Sequence, residues 1–227
     1  MTDAQAREAA EQAVSKAAAV AKSEPLKIYR RADLEQFLWT VEEKKPVRDV
    51  YFYEVQRPPR TAFDASSVWV VAVAGPAREV YQLYGSESQQ GANETAQEFN
   101  RLISQLALTV PKEKAASFAR FFLGSCAGEE PEEIMLDEER LRHAVERYYL
   151  GTYGGGVWRA LEAYGQWWQG FQKIVSPIEP SISLENGRYR VLLNRLLTGG
   201  GRHPQVQEWD LEVSPSGEVS VLAVLPV

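Results

Sequence analysis

The amino-acid sequence predicts an α+β fold in which antiparallel sheet meanders pack against helices. Three observations lead there. Short runs of strand-forming residues are joined by turn-sized connections, which favours antiparallel pairing. One of these runs, Val68 to Ala74, is apolar at every position, as a strand covered on both faces is. Between the two groups of strands lies a block of segments whose apolar residues recur at helical spacing. The order along the chain is therefore helices, strands, helices, strands.

Each element has its own signal. Residues 3–22 contain nine alanines, with Ala6, Ala10, Val14, Ala17 and Ala21 on one stripe. So small a face buries little area, and such a helix either packs very closely or frays. A second helix carries Leu34, Phe37, Leu38 and Val41, with Asp33 as its expected cap, Gln36 in capping-box position and Pro46 as its stop. Three strands follow, at Val47–Gln56, Val68–Ala74 and Arg78–Tyr84, the last two joined by the turn Ala74-Gly75-Pro76-Ala77. In the helical block, Phe99, Leu102, Ile103, Leu106 and Val110 share one face. Pro111 opens a helix with Ala115, Phe118, Ala119 and Phe122. A third helix runs through Leu141, Val145 and Tyr148, and the aromatic stretch from Val157 to Val175 makes a fourth. The chain then forms a meander. Asn186-Gly187 is the strongest hairpin signal present, and Ser214-Pro215-Ser216-Gly217 fits a type I turn.

This order is compatible with curved-sheet folds such as the cystatin-like group, although no motif carries that placement. The expected organisation has residues 1–87 as N-terminal helices plus a three-stranded antiparallel unit. Residues 88–227 form a helical block plus a C-terminal four-stranded meander. The stretch from Gly85 to Asn93 is the candidate seam, and one continuous domain is the alternative.

Composition narrows the function. The chain has 227 residues with 25 basic and 31 acidic side chains, a net charge of −6, and basic clusters no larger than pairs. Nucleic acid and anionic membrane surfaces are therefore not expected partners, because both are recognised through basic stripes. No apolar run approaches the roughly 20 residues of a membrane-spanning helix. Cys126 is the single cysteine, so neither an internal disulfide nor a multi-cysteine zinc site is possible. With no signal-like apolar stretch near Met1, the expected compartment is cytoplasmic, a recloned mature exported protein being the alternative.

Several groups of residues carry possible chemistry. Trp158, Leu161, Tyr164, Trp168 and Phe171 fall on one helical stripe and read as core, while Trp167 lies beside it as the better surface contact. Together, Trp158, Tyr164, Trp167 and Trp168 are the candidate aromatic binding residues, since indoles and phenols give large contact area at low entropic cost. The glycine-rich run Gly151 to Gly156 follows a helix and lacks a Lys-Ser/Thr pair, so it reads as a connector, not a phosphate loop. Glu139, His143 and Glu146 share a helix face without the Glu-x-x-His pairing of di-iron bundles. Seven carboxylates crowd residues 129–139 with no calcium-loop pattern. No metal or other cofactor is expected. On the last strands Glu208, Asp210 and Glu212 alternate with apolar residues, so their carboxylates project from one face. Pairing with the preceding strand would bring Arg190 and Asn194 onto the same face. Glu208, Asp210 and the loop residue His203 are the candidate acid–base groups, and Arg190 a binding residue.

With no nucleophile elbow, nucleotide loop or metal cluster in the sequence, the expected function is non-catalytic binding of an unknown small molecule or protein. The alternatives are a small-molecule enzyme with a carboxylate/His acid–base site between sheet and helices, and a self-associating structural domain that forms a homo-oligomer.

Overall fold

Strand formation begins where the sequence is most apolar. The structure, a computed structural model, describes residues 1–17, 25–42, 50–59, 67–85, 92–127, 134–135, 138–152, 157–174, 181–197 and 204–226. β3 (Ser67–Ala74) pairs on one side with β2 (Val50–Arg57) and on the other with β4 (Glu79–Gly85), both antiparallel. Trp69 to Ala74 are all buried, as their uninterrupted apolarity demands. A short edge strand, β1 (Lys27–Arg30), pairs antiparallel with β2. The first sheet therefore has four strands where three are expected.

Both faces of this sheet are covered. Tyr53, Val55, Trp69, Val71 and Val73 pack under α1 (Asp3–Ala17) through Ala6, Ala10 and Val14. Over Ala6, Ala10 and Val14 the alanine stripe thus resolves as close packing, since small side chains let the helix approach the sheet; Ala17 is exposed at the helix end and Ala21 lies outside the described residues. Tyr53 donates its hydroxyl proton to the Asp3 carboxylate at 2.8 Å, and burial with this bond pushes its pKa well above the usual tyrosine range. The other face, through Phe52, Val70, Ala72, Tyr81 and Leu83, meets α2 (Ala32–Glu42), α3 (Ala92–Leu106) and α4 (Ala115–Ala127).

α2 departs from its expected start. The helix begins one residue before Asp33, and the Asp33 carboxylate is taken by Arg31, whose Nη2 donates to it at 2.7 Å. Arg31 also reaches Glu54 at 3.3 Å, and Arg30 makes a two-pronged pair with buried Glu35 at 2.8 and 3.0 Å. An aspartate beside two arginines serves the charge network before the helix end.

The second sheet closes the central core from the opposite side. Its strands are β5 (Ile134–Met135), β6 (Ile182–Glu185), β7 (Arg188–Leu197), β8 (Gln205–Val213) and β9 (Val219–Pro226). β6 to β9 form the expected antiparallel meander, with Asn186 and Gly187 both at positive φ in the β6–β7 turn. β5 is the addition: it pairs with β7 at Asn194 and Arg195. Val191, Leu193, Leu211, Val213 and Val219 face the helices α3 and α4, and so share one core with the first sheet. A last pair of helices, α5 (Glu138–Thr152) and α6 (Val157–Ile174), packs on the far side of β7 and β8 through Leu196 and Val206. Five layers result: helix, sheet, helices, sheet, helices. Among the described residues no helix is long and apolar enough to cross a membrane.

The β8–β9 turn is locked into the helical layer. Gly217 N–H donates to the Ser214 carbonyl at 2.9 Å, the Ser214 hydroxyl accepts from Glu218 N–H, and Val110 N–H donates to the Pro215 carbonyl at 2.8 Å. Gly217 lies at φ +83°, and a Cβ there would meet Ile103 Cγ2 at 2.8 Å and Phe118 Cζ at 3.1 Å. Gly187 has a similar φ of +78° and open space around it. We therefore expect Gly187→Ala to cost about 1 kcal/mol, the left-handed backbone term alone. Gly217→Ala adds overpacking and costs about 3 kcal/mol. Urea unfolding of the two variants measures the difference; equal losses would show that the turn is not held against α3 and α4.

Candidate functional site

β7 and β8 pair with Arg190 opposite Glu212, Leu192 opposite Asp210, Asn194 opposite Glu208 and Leu196 opposite Val206. Since Val191, Leu193, Leu211 and Val213 face the central core, strand alternation puts these eight residues on the outer face. One end of that face, at Leu196 and Val206, is roofed by α5 and α6. The other end carries charge.

The charged end is mostly paired. Arg190 donates from Nε and Nη2 to the Asp210 carboxylate at 3.0 and 2.7 Å and reaches Glu185 at 3.6 Å. The hydrogen bond to Asp210 and the two nearby carboxylates hold the guanidinium well above its ordinary pKa. Arg188 pairs with Glu212 at 3.1 Å and Glu218 at 3.7 Å. Asp210 is buried and, gripped by a guanidinium fork, is built as a fixed acceptor. The middle of the face is different. Neither the Asn194 amide nor the Glu208 carboxylate has a hydrogen-bond or ion-pair partner among the described residues. Asn194 as a residue is only 6% exposed, and its amide nitrogen and oxygen keep what solvent contact remains.

The helical roof draws on the aromatic stretch. Leu141, Val145 and Tyr149 of α5 and Ala160 and Trp168 of α6 form one cluster with Leu196 and Val206, flanked by half-buried Tyr148, Ala163, Tyr164 and Trp167. Trp168 is buried, and its ring stacks with that of Tyr164 at 6.3 Å between centroids. The Tyr164 hydroxyl accepts from Arg142 Nε at 2.9 Å. Trp167 packs at 6.1 Å from Trp168, on the same side of the helix. The buried stripe thus runs through Ala160, Ala163, Tyr164, Trp167 and Trp168. Trp158 belongs to the first turn of α6, and its side chain lies outside the described residues, as does Phe171. His203 lies outside them as well.

The remaining candidates have other surroundings. His143 is 64% exposed, 3.9 Å from Glu139 and 3.8 Å from Glu146. Among the described residues no group of three or more His, Cys, Asp or Glu is placed to hold a metal ion. Cys126 lies on α4 against the central core, where burial pushes its thiol pKa up and away from the reactive thiolate. A groove of about 430 Å³ lies elsewhere, between α1 and β4, lined by Gln5, Glu8, Gln12, Lys16, Arg78 and Val80. Its polar side chains mix both signs.

Comparison with known proteins adds nothing to this geometry: no family model, no curated protein and no solved structure matches the chain. Sequence reasoning placed Asn194 on this face only as a neighbour of Arg190. The available signal was its type, because asparagine is depleted from strands and here interrupts a leucine-rich run. The Asn194 amide bonds no described group and keeps solvent contact, so Asn194→Leu should change stability by less than about 1 kcal/mol in chemical denaturation. A larger loss would show that the fold itself uses the amide.

Proposed function

We propose that this chain is a non-catalytic binding protein, holding a small ligand or a segment of a partner protein on the outer face of its second sheet. The site is the corner where the sheet emerges from under α5 and α6. The observation that carries this reading is the pair Asn194 and Glu208, hydrogen-bonding groups that face each other across two strands without a partner among the described residues. Polar groups at the edge of a covered face that serve no internal bond are free to bond a ligand. The grip of Arg190 on Asp210 favours binding over catalysis, because a carboxylate held on both oxygens by a guanidinium fork is already committed as an acceptor. Tyr164, Trp167 and Trp168 support the site from behind by fixing the roof.

The test is a thermal-shift panel of small metabolites of every charge type. A ligand at 100 times its Kd stabilises the folded state by about 2.7 kcal/mol. For a chain of this size that raises Tm by about 5–10 °C. The shift should vanish in Asn194→Leu. Ligands that stabilise both proteins equally would place binding elsewhere.

A second reading, self-association, is favoured by β9. Its sequence from Val219 to Leu225 has no charge, Leu222 and Leu225 are more than half exposed, and no described strand pairs along its outer edge. Asn100 closes that edge only at Val219, donating to its carbonyl at 2.9 Å and accepting from its N–H at 2.8 Å. Two copies joined antiparallel through this edge would satisfy its backbone groups. Light scattering should then give twice 25.5 kDa, reverting to the monomer mass in Leu222→Lys. A monomer at several hundred micromolar would remove this reading.

A further inference from the structure

We infer that the groove between α1 and β4 is a further binding site, taking a carboxylate or phosphate group on a small molecule, with Arg78 and Lys16 as its cationic holders. It is independent of the outer face of the second sheet. The first support is the backbone of Arg78. Its N–H donates to the Gly75 carbonyl at 3.1 Å, closing a β-turn with Pro76 at the second position. Arg78 itself lies at φ +55°, in the left-handed region. A hairpin connection ordinarily places glycine at such a position, because a Cβ raises the energy of that backbone. The arginine side chain adds no bond to the fold in return. It is exposed and has no hydrogen-bond or ion-pair partner among the described residues. Backbone strain kept for a side chain with no internal use points to a role outside the fold.

The second support is the cavity that Arg78 lines. Its volume of about 430 Å³ suits a small metabolite. Glu8, Gln12 and Lys16 follow one another along α1 at four-residue steps, a rise of about 6 Å each, and make one wall. Ala9, Ala13 and Val80, all half-buried, supply apolar floor. The third support is charge. The Glu8 carboxylate accepts from the Gln12 amide at 3.2 Å, whereas the Lys16 ammonium, like the Arg78 guanidinium, has no described partner. Among the described lining residues two cations thus face one carboxylate, in a chain whose net charge is −6. A guanidinium offers parallel N–H donors, the fork that carboxylate and phosphate oxygens accept. Lys16 also answers the helix dipole at the end of α1, so the decisive residue is Arg78. An anion held by both would bridge α1 to the first sheet, beside the contacts of Ala6, Ala10 and Val14.

The test titrates the full chain at constant ionic strength with succinate, glycerol 3-phosphate, glycerol and n-butylammonium. NMR follows the Arg78 side-chain N–H and the backbone amides of α1 and residues 75–80. Saturable movement is expected with the two anions alone, together with slower amide exchange along α1. Arg78→Gly and Arg78→Ala should each weaken anion binding at least tenfold. Arg159→Gln, which removes the same charge from an exposed position on α6, should change it less than twofold. In stability the two Arg78 variants diverge. Arg78→Gly should unfold at a higher urea concentration than the native chain and Arg78→Ala at an unchanged one, since glycine alone relieves the left-handed residue. Tighter binding of glycerol 3-phosphate than of succinate would assign a phosphate source, and the reverse a carboxylate; either supports the anion class. Equal anion affinity in Arg78→Gly overturns the site, as does equal movement with glycerol or butylammonium. Saturation only above roughly 10 mM would show an adventitious ion only, and the site falls. If Arg78→Gly unfolds at lower urea than the native chain, the arginine serves the fold and the inference falls with it.

Discussion

The architecture depends on a layer of phenylalanines between two sheets. α3 and α4 are covered from both sides, so their contacts must be apolar in opposite directions at once. Phe99 packs against Phe118, Phe121 and Phe122 with ring centroids 5.0–5.8 Å apart, and Phe121 meets Phe52 of the first sheet at 5.6 Å. Burial of each such ring contributes about 1.5–3 kcal/mol, and tilted or edge-on pairs add about 1 kcal/mol. Arg120 on α4 lays its guanidinium over Phe37 at 5.4 Å, so that even this cation faces a ring. Ser125, fully buried, returns its hydroxyl to the Phe121 carbonyl at 2.8 Å and so presents no unmet donor.

The two sheets differ on their outer faces, and that difference creates the candidate site. The first sheet is covered outside by α1, whose alanines follow it closely, and its ionic network gathers at one end around Arg30, Arg31, Glu35 and Glu54. Among the described residues, the second sheet is covered outside only where α5 and α6 reach it. Along one strand the environment passes within a few residues from buried Leu196 to the half-exposed Arg190. Asn194 and Asp210 lie in between. Asp210 finds an arginine and Asn194 does not, a contrast set by register alone.

Much of the fold was legible because it rests on local pattern. The all-apolar run of β3, the helical spacing of Phe99 to Leu106 and the Asn186-Gly187 turn each follow from one short segment and elementary sterics. β1 and β5 were not legible, because strands of four and two residues exist only by virtue of the longer strand beside them. The capping role expected of Asp33 failed for a related reason: Arg31 lies two residues away, and a charge-assisted bond outcompetes a helix N-terminus. On α6 the expected stripe and the packed one share Tyr164 and Trp168, and Trp167 joins them half-buried against the same cluster. For the site, alternation located the carboxylates of β8. Which of them is neutralised needed the pairing register and the arginines of β7.

The turn at Gly217 has a consequence for how the chain comes into being. It plugs directly onto Ile103 and Phe118, and Asn100 binds the main chain at Val219, more than a hundred residues away in sequence. During synthesis the phenylalanine layer is made long before the strands that shield its second side. Until residues beyond 217 leave the ribosome, α3 and α4 expose one apolar flank to the cell. The nascent chain is thus at its most aggregation-prone between the emergence of α4 and that of β9, the interval in which a chaperone would matter most.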